Sequence, residues 1–98
     1  MDFDKIPENY RADIKKAADL LKREGCKAVF LFGSMVTGRI HKDSNINIGI
    51  MGLPPQKFIR TWVDLDDEVS SVVELVDFDS DKDLYNHLDS LGRIVKIG

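Results

Sequence analysis

Only one cysteine, Cys26, occurs among the 98 residues, so no disulfide can close within the chain and a reducing cytoplasm is the expected setting. Without a second thiol or histidines at ligand spacing, Cys26 is expected to be a buried structural residue. Long hydrophobic runs are also missing. The longest, Ala28–Phe32, is five residues, against roughly 20 for a membrane-spanning helix. Met1 is followed by Asp2, Phe3, Asp4 and Lys5, which is acidic and polar where a secretory leader would be basic and then apolar. A basic excess is absent too, since 17 acids outnumber 14 bases for a net charge of −3. That argues against a sequence-independent nucleic-acid binder, which needs a basic stripe to displace counterions. Lys15, Lys16, Lys22 and Arg23 are instead expected on a solvated helix face. There is no internal repeat, low-complexity segment or linker. What remains is an ordinary globular composition, 43% hydrophobic and 32% charged. The length suits one core and is too short for two, so a single domain over residues 1–98 is expected.

The order of elements is helix, strand, short helical turn, strand, helix, strand, helix, strand. Tyr10, Ile14, Ala17, Ala18 and Leu21 share one helical face over residues 7–24, and Gly25 follows as a stop. Ala28–Phe32 is apolar throughout, as expected of a strand covered on both faces. Ile46, Ile48 and Ile50 alternate with Asn45, Asn47 and Gly49, the period of a strand with one apolar face. Pro54 and Pro55 make a turn and open a helix whose apolar stripe is Phe58, Trp62, Leu65 and Val69, reinforced by Ile59 and Val63. Trp62 belongs to that stripe and is therefore expected in the core. A third strand is predicted over residues 72–76. Ser80 is a candidate cap for a last helix with Leu84, Leu88 and Leu91 on one face, ended by Gly92. Residues 93–97 then suit a short edge strand. The fold class is α/β, a small mixed β-sheet with helices packed against it.

Asp77, Asp79, Asp81 and Asp83 alternate as in a calcium loop. Such a loop needs glycine at position 82 and glutamate at 88, where this chain has Lys82 and Leu88. A helix start, where acids oppose the positive end of the dipole, is the better reading.

The chemistry concentrates in Leu31-Phe32-Gly33-Ser34-Met35-Val36-Thr37-Gly38 and, five residues later, Ser44-Asn45-Ile46-Asn47-Ile48. A buried strand that turns through Gly-Ser into a short helix directs backbone N–H groups at one spot. With the Ser34 hydroxyl, those donors suit phosphate oxygens. Gly33 carries no Cβ, which permits close approach, and Gly38 is placed to end the short helix. Asn45 and Asn47 project from one face of their strand, because side-chain direction has period two. Glu74 is a lone acid among Val72, Val73, Leu75 and Val76, which requires a cation or donor beside it if buried, or a solvent-facing side of an open sheet. Arg39 and Lys42 lie in the spacer, within reach of a phosphate or free in water. His41 and His87 have no ligand-spaced partner.

This arrangement resembles the minimal nucleotidyltransferases, relatives of the DNA polymerase β superfamily. Their motif is Gly-Ser, three residues, Gly, a spacer, Ser-Asp-x-Asp in a strand and a third carboxylate on a later strand. Gly33, Ser34, Gly38 and Ser44 match it, Glu74 stands at the third acid, and the element order agrees over nearly the whole length. The resemblance implies a nucleotidyltransferase fold and Mg²⁺-dependent transfer of a nucleoside monophosphate from an NTP, ATP in preference, to a hydroxyl acceptor. It implies phosphate contacts at Gly33, Ser34, Gly38 and Ser44, and metal and catalytic positions at 45, 47 and 74. It also implies an antitoxin-like role for this chain, beside a small helical partner protein or a second copy of the chain.

The departure is that Asn45 and Asn47 stand where the family has aspartates. Asparagine keeps the shape and a neutral carbonyl oxygen but loses the charge that Mg²⁺ prefers, and its amide cannot act as a general base. Impaired transfer is expected, with a non-catalytic nucleotide- or partner-binding pseudoenzyme as the alternative. A native pseudoenzyme and a paired silencing substitution both suit this pattern.

Overall fold

The structure, a computed structural model, describes residues 3–98; Met1 and Asp2, the first of the residues that argue against a leader, lie outside the described part. Helix α1 (Glu8–Arg23) buries Tyr10, Ile14, Ala17, Leu20 and Leu21, the face its 3.6-residue period predicts. Gly25 ends it with φ of 108°. Strand β1 (Ala28–Phe32) follows, then the four-residue α2 (Ser34–Thr37) and strand β2 (Ile46–Met51). A short 3₁₀ turn leads into α3 (Phe58–Glu68), after which come β3 (Val73–Asp77), α4 (Lys82–Ser90) and β4 (Ile94–Lys96). The predicted order of elements is present throughout.

The sheet order is β3-β2-β1-β4. β1 runs antiparallel to both β2 and β4, whereas β2 and β3 are parallel, with α3 as the crossover between them. The sheet is therefore mixed, and the fold is α/β. One face carries Val29, Leu31, Ile46, Ile48, Ile50, Val73 and Leu75, which form the core with α1 and with Leu65 and Val69. Ile46, Ile48 and Ile50 are completely buried, each worth about 1.5–3 kcal/mol relative to exposure.

The opposite face is covered unevenly. Phe78 and Tyr85 pack there on Phe30, with ring centroids 5.9 and 5.5 Å away. Phe78 lies flush against the sheet because Gly49 has no side chain; a Cβ there would collide with its ring. That cover stops short of Asn47 and Glu74, which leaves their end of the face open.

Local expectations change at several places. Ile59 and Val63 are exposed, at 68% and 55%, while Thr61 is buried. They sit about 100° round the helix from the Phe58, Trp62, Leu65 line, on its outer side. Trp62 is half-buried, and its indole N–H donates to the Val73 carbonyl at 3.0 Å, so it ties α3 to the sheet edge. The cap of α4 is Asp81, not Ser80: Asp81 Oδ1 accepts from the Leu84 N–H at 3.2 Å, and the Ser80 hydroxyl donates to Asp77. Leu91 lies just past the end of α4 and is half exposed, so Tyr85 takes the inward place that Leu91 was expected to fill. The third strand also starts one residue later than expected, leaving Val72 exposed.

Among the described residues Asp13 is the buried charge, only 3% exposed on the inner face of α1. Its carboxylate accepts from Ser70 N–H at 3.3 Å, Ser71 N–H at 2.9 Å and the Ser71 hydroxyl at 2.6 Å. Three donors satisfy the charge and fix the turn that feeds β3. No helix among the described residues is long and apolar enough to cross a membrane.

Candidate functional site

β1 ends at Phe32, and the chain turns sharply at Gly33, whose φ of 78° and ψ of −148° favour glycine. The N–H groups of Val36 and Thr37 both bond back to the Gly33 carbonyl, which winds α2 immediately after the strand. Gly38, at φ of 82°, ends α2 with its N–H on the Ser34 carbonyl at 2.9 Å. A second reason for glycine at 33 is spatial: a Cβ there would collide with the Asn47 amide nitrogen and come within 3.2 Å of its Cγ.

The register explains that contact. Asn47 pairs with Phe32 of β1 on one side and with Glu74 of β3 on the other, so the three stand in a row across the sheet. Asn45, two residues earlier, shares their face. Its Nδ2 donates to Glu74 Oε1 at 3.1 Å. Asn45, Asn47, Glu74 and Gly33 are thus brought together at one end of the sheet, on its open face. Glu74 lies on an edge strand and is exposed, so its charge is met by solvent and by the Asn45 amide.

Ser34, half-buried, lines a cleft of about 650 Å³ with Gly33, Val36, Thr37, Arg39, Gly92 and Arg93. Two residues of the matched motif lie apart from it. Ser44 is buried, and its hydroxyl accepts from His41 N–H at 2.8 Å, closing the loop before β2. Gly38 borders a separate hollow with Lys5, Ile6 and Ile40. Lys42 lies beside Tyr10 and Asn45 in another hollow, away from Arg39.

Arg93 is the site residue that sequence reasoning missed. It precedes β4, whose Ile94 pairs with Phe32, and that pairing brings it beside Gly33. Only the strand order reveals this proximity, since 60 positions separate the two residues. The acids at 77 to 83 serve local structure: Asp77 accepts from Asp79 N–H, Asp79 from Gly52 N–H, and Asp81 caps α4. No group of three His, Cys, Asp or Glu side chains that could hold a metal occurs among the described residues. Cys26 is buried away from this end, and desolvation pushes its thiol up to about 11, so it is a poor nucleophile at neutral pH.

A strand, a Gly-Ser turn and a short helix beside a strand with paired polar residues and an acid on the next strand define a nucleotidyltransferase-type domain. The chain matches the family model described as polymerase beta, nucleotidyltransferase over residues 15–95, and it belongs to that family. It is similar to a solved structure, the crystal structure of a toxin–antitoxin with AMP-PNP, at 28% sequence identity and a TM-score of 0.58. That match covers 67% of this chain and 57% of the other, so the chain spans little more than half of that relative's length. No curated protein matches.

The family's reaction uses Mg²⁺, and the residues present do not fit a pair of such ions. Glu74 is the one carboxylate of the three positions, and the Asn45 amide presents an N–H, not an oxygen, to it. Mg²⁺ demands oxygen ligands in near-octahedral array and is held chiefly by carboxylates and phosphates.

Proposed function

We propose that the chain is a nucleotide-binding member of the minimal nucleotidyltransferases whose transfer reaction is largely silenced. The family activity would be transfer of a nucleoside monophosphate from an NTP, ATP in preference, to a hydroxyl acceptor. The observation that carries this reading is the Asn45 Nδ2 to Glu74 Oε1 bond, in which a neutral amide donates to the remaining acid. Gly33 and Ser34 keep the phosphate cradle, while positions 45, 47 and 74 carry a formal charge of −1 from Glu74 alone. A unit charge at ~4 Å is worth about 4 kcal/mol at an effective dielectric of ~20. Each ~1.4 kcal/mol withdrawn from transition-state stabilisation slows a reaction tenfold. Two missing carboxylates therefore reduce transfer by orders of magnitude.

The relative with AMP-PNP, an ATP analogue, supports ATP as the nucleotide, and its toxin–antitoxin assembly supports a protein partner. Acceptor contacts would come from outside the cleft described above. A small helical partner or a second copy would supply those contacts, and the chain would act with it in the cytoplasm as one antitoxin-like domain.

The test is transfer of label from α-labelled ATP to the proteins of a cell extract, with Mg²⁺ or Mn²⁺, by the chain and by its Asn45→Asp/Asn47→Asp variant. We expect negligible labelling by the chain and a gain of at least ~100-fold in the double variant. Equal, robust labelling by both would overturn the silenced-site reading.

A further inference from the structure

Arg39 and Arg93 approach the cleft from different elements, one just beyond α2 and the other at the start of β4. Both are exposed, and neither forms an ion pair among the described residues. The lining of the cleft contains no carboxylate. Two guanidinium groups without an ion-pair partner thus line the cleft beside the Gly33-Ser34 turn, where a single anion can meet both. The neighbouring polar set has the opposite deficit: Asn45 and Asn47 are neutral, and Glu74 is already engaged by an amide N–H. The charge at this end of the sheet is thus arranged for an anion and not for a dication.

We propose that this cleft takes the polyphosphate of a nucleoside triphosphate directly, without a divalent cation, with Arg93 and Arg39 supplying the positive charge. The inference rests on the nucleotide-binding reading above and specifies how that site meets its ligand. Guanidinium groups suit the task because their planar fork gives paired N–H donors to phosphate oxygens and stays charged at every accessible pH. The volume, about 650 Å³, lies within the ~300–1,000 Å³ common for small-molecule sites. Because the arginines recognise phosphate and not base, inorganic triphosphate belongs to the same ligand class.

The experiment is calorimetric titration of the chain with ATP in EDTA and, separately, in excess Mg²⁺, with inorganic triphosphate as competitor in EDTA. We expect affinities within about twofold in the two buffers, competition by triphosphate, and about tenfold weaker binding by Arg93→Ala in both. Arg93→Lys should fall between, since it keeps the charge and loses the fork. Arg93 is tied to the fold by its backbone N–H on the Leu88 carbonyl at 2.9 Å, a bond that the alanine variant retains; circular dichroism checks its folding. A tenfold or greater gain in affinity on adding Mg²⁺ would overturn the metal-free clamp and leave the nucleotide reading standing. So would unchanged binding by folded Arg93→Ala. No binding in either buffer would overturn both.

Discussion

Asn47 and Gly33 constrain each other: the glycine leaves the space that the amide occupies. An amide has nearly the shape of a carboxylate without its charge, so Asn47→Asp is expected to keep the turn, the strand and the register. Ser34 is the complementary case. Its hydroxyl makes no hydrogen bond among the described residues, and it faces the cleft half-buried. Ser34→Ala should therefore leave thermal stability unchanged and weaken ATP binding about fivefold, or about 1 kcal/mol, the net worth of one hydrogen bond. Calorimetry with a parallel melting curve checks it, and unchanged affinity in a folded variant would remove Ser34 from the cradle.

At the level of elements, the position of Glu74 depends on a residue far from it. Asp13, on α1, holds the Ser70-Ser71 turn through three hydrogen bonds, and that turn sets where β3 begins. Asp13→Ala removes the acceptor of two backbone N–H groups and a hydroxyl and should destabilise the chain by about 3 kcal/mol, read as a lower midpoint in urea. A midpoint close to that of the unaltered chain would show that the turn holds without it. This is also where sequence reasoning reached its limit. Periodicity was enough for α1, β1 and β2, because their apolar faces repeat at 3.6 or 2 residues. It was enough for Asn45 and Asn47 on one face, and motif spacing pointed to Glu74. Asp13 and Arg93 act through partners 57 and 60 positions away, which no local pattern encodes. The outward Ile59 and Val63 and the Asp81 cap show the smaller error of assigning a face or a cap by residue type alone.

For the whole molecule, the mixed sheet has one closed face and one partly open face, and the division follows side-chain chemistry. Aliphatic residues bury the first under α1 and α3; Phe78 and Tyr85 cover only part of the second. The uncovered part gathers a glycine turn, two amides, one acid and two arginines at the end where β1 stops and β4 begins. The fold is that of the nucleotidyltransferases, and under the proposed reading this donor set favours phosphate over metal. The most direct measurement is titration of Mn²⁺ into the protein, followed by the electron paramagnetic resonance signal of free Mn²⁺. We expect the chain to leave that signal at its protein-free intensity and the Asn45→Asp/Asn47→Asp variant to deplete it stoichiometrically. Equal depletion by both proteins would contradict the loss of the metal clamp.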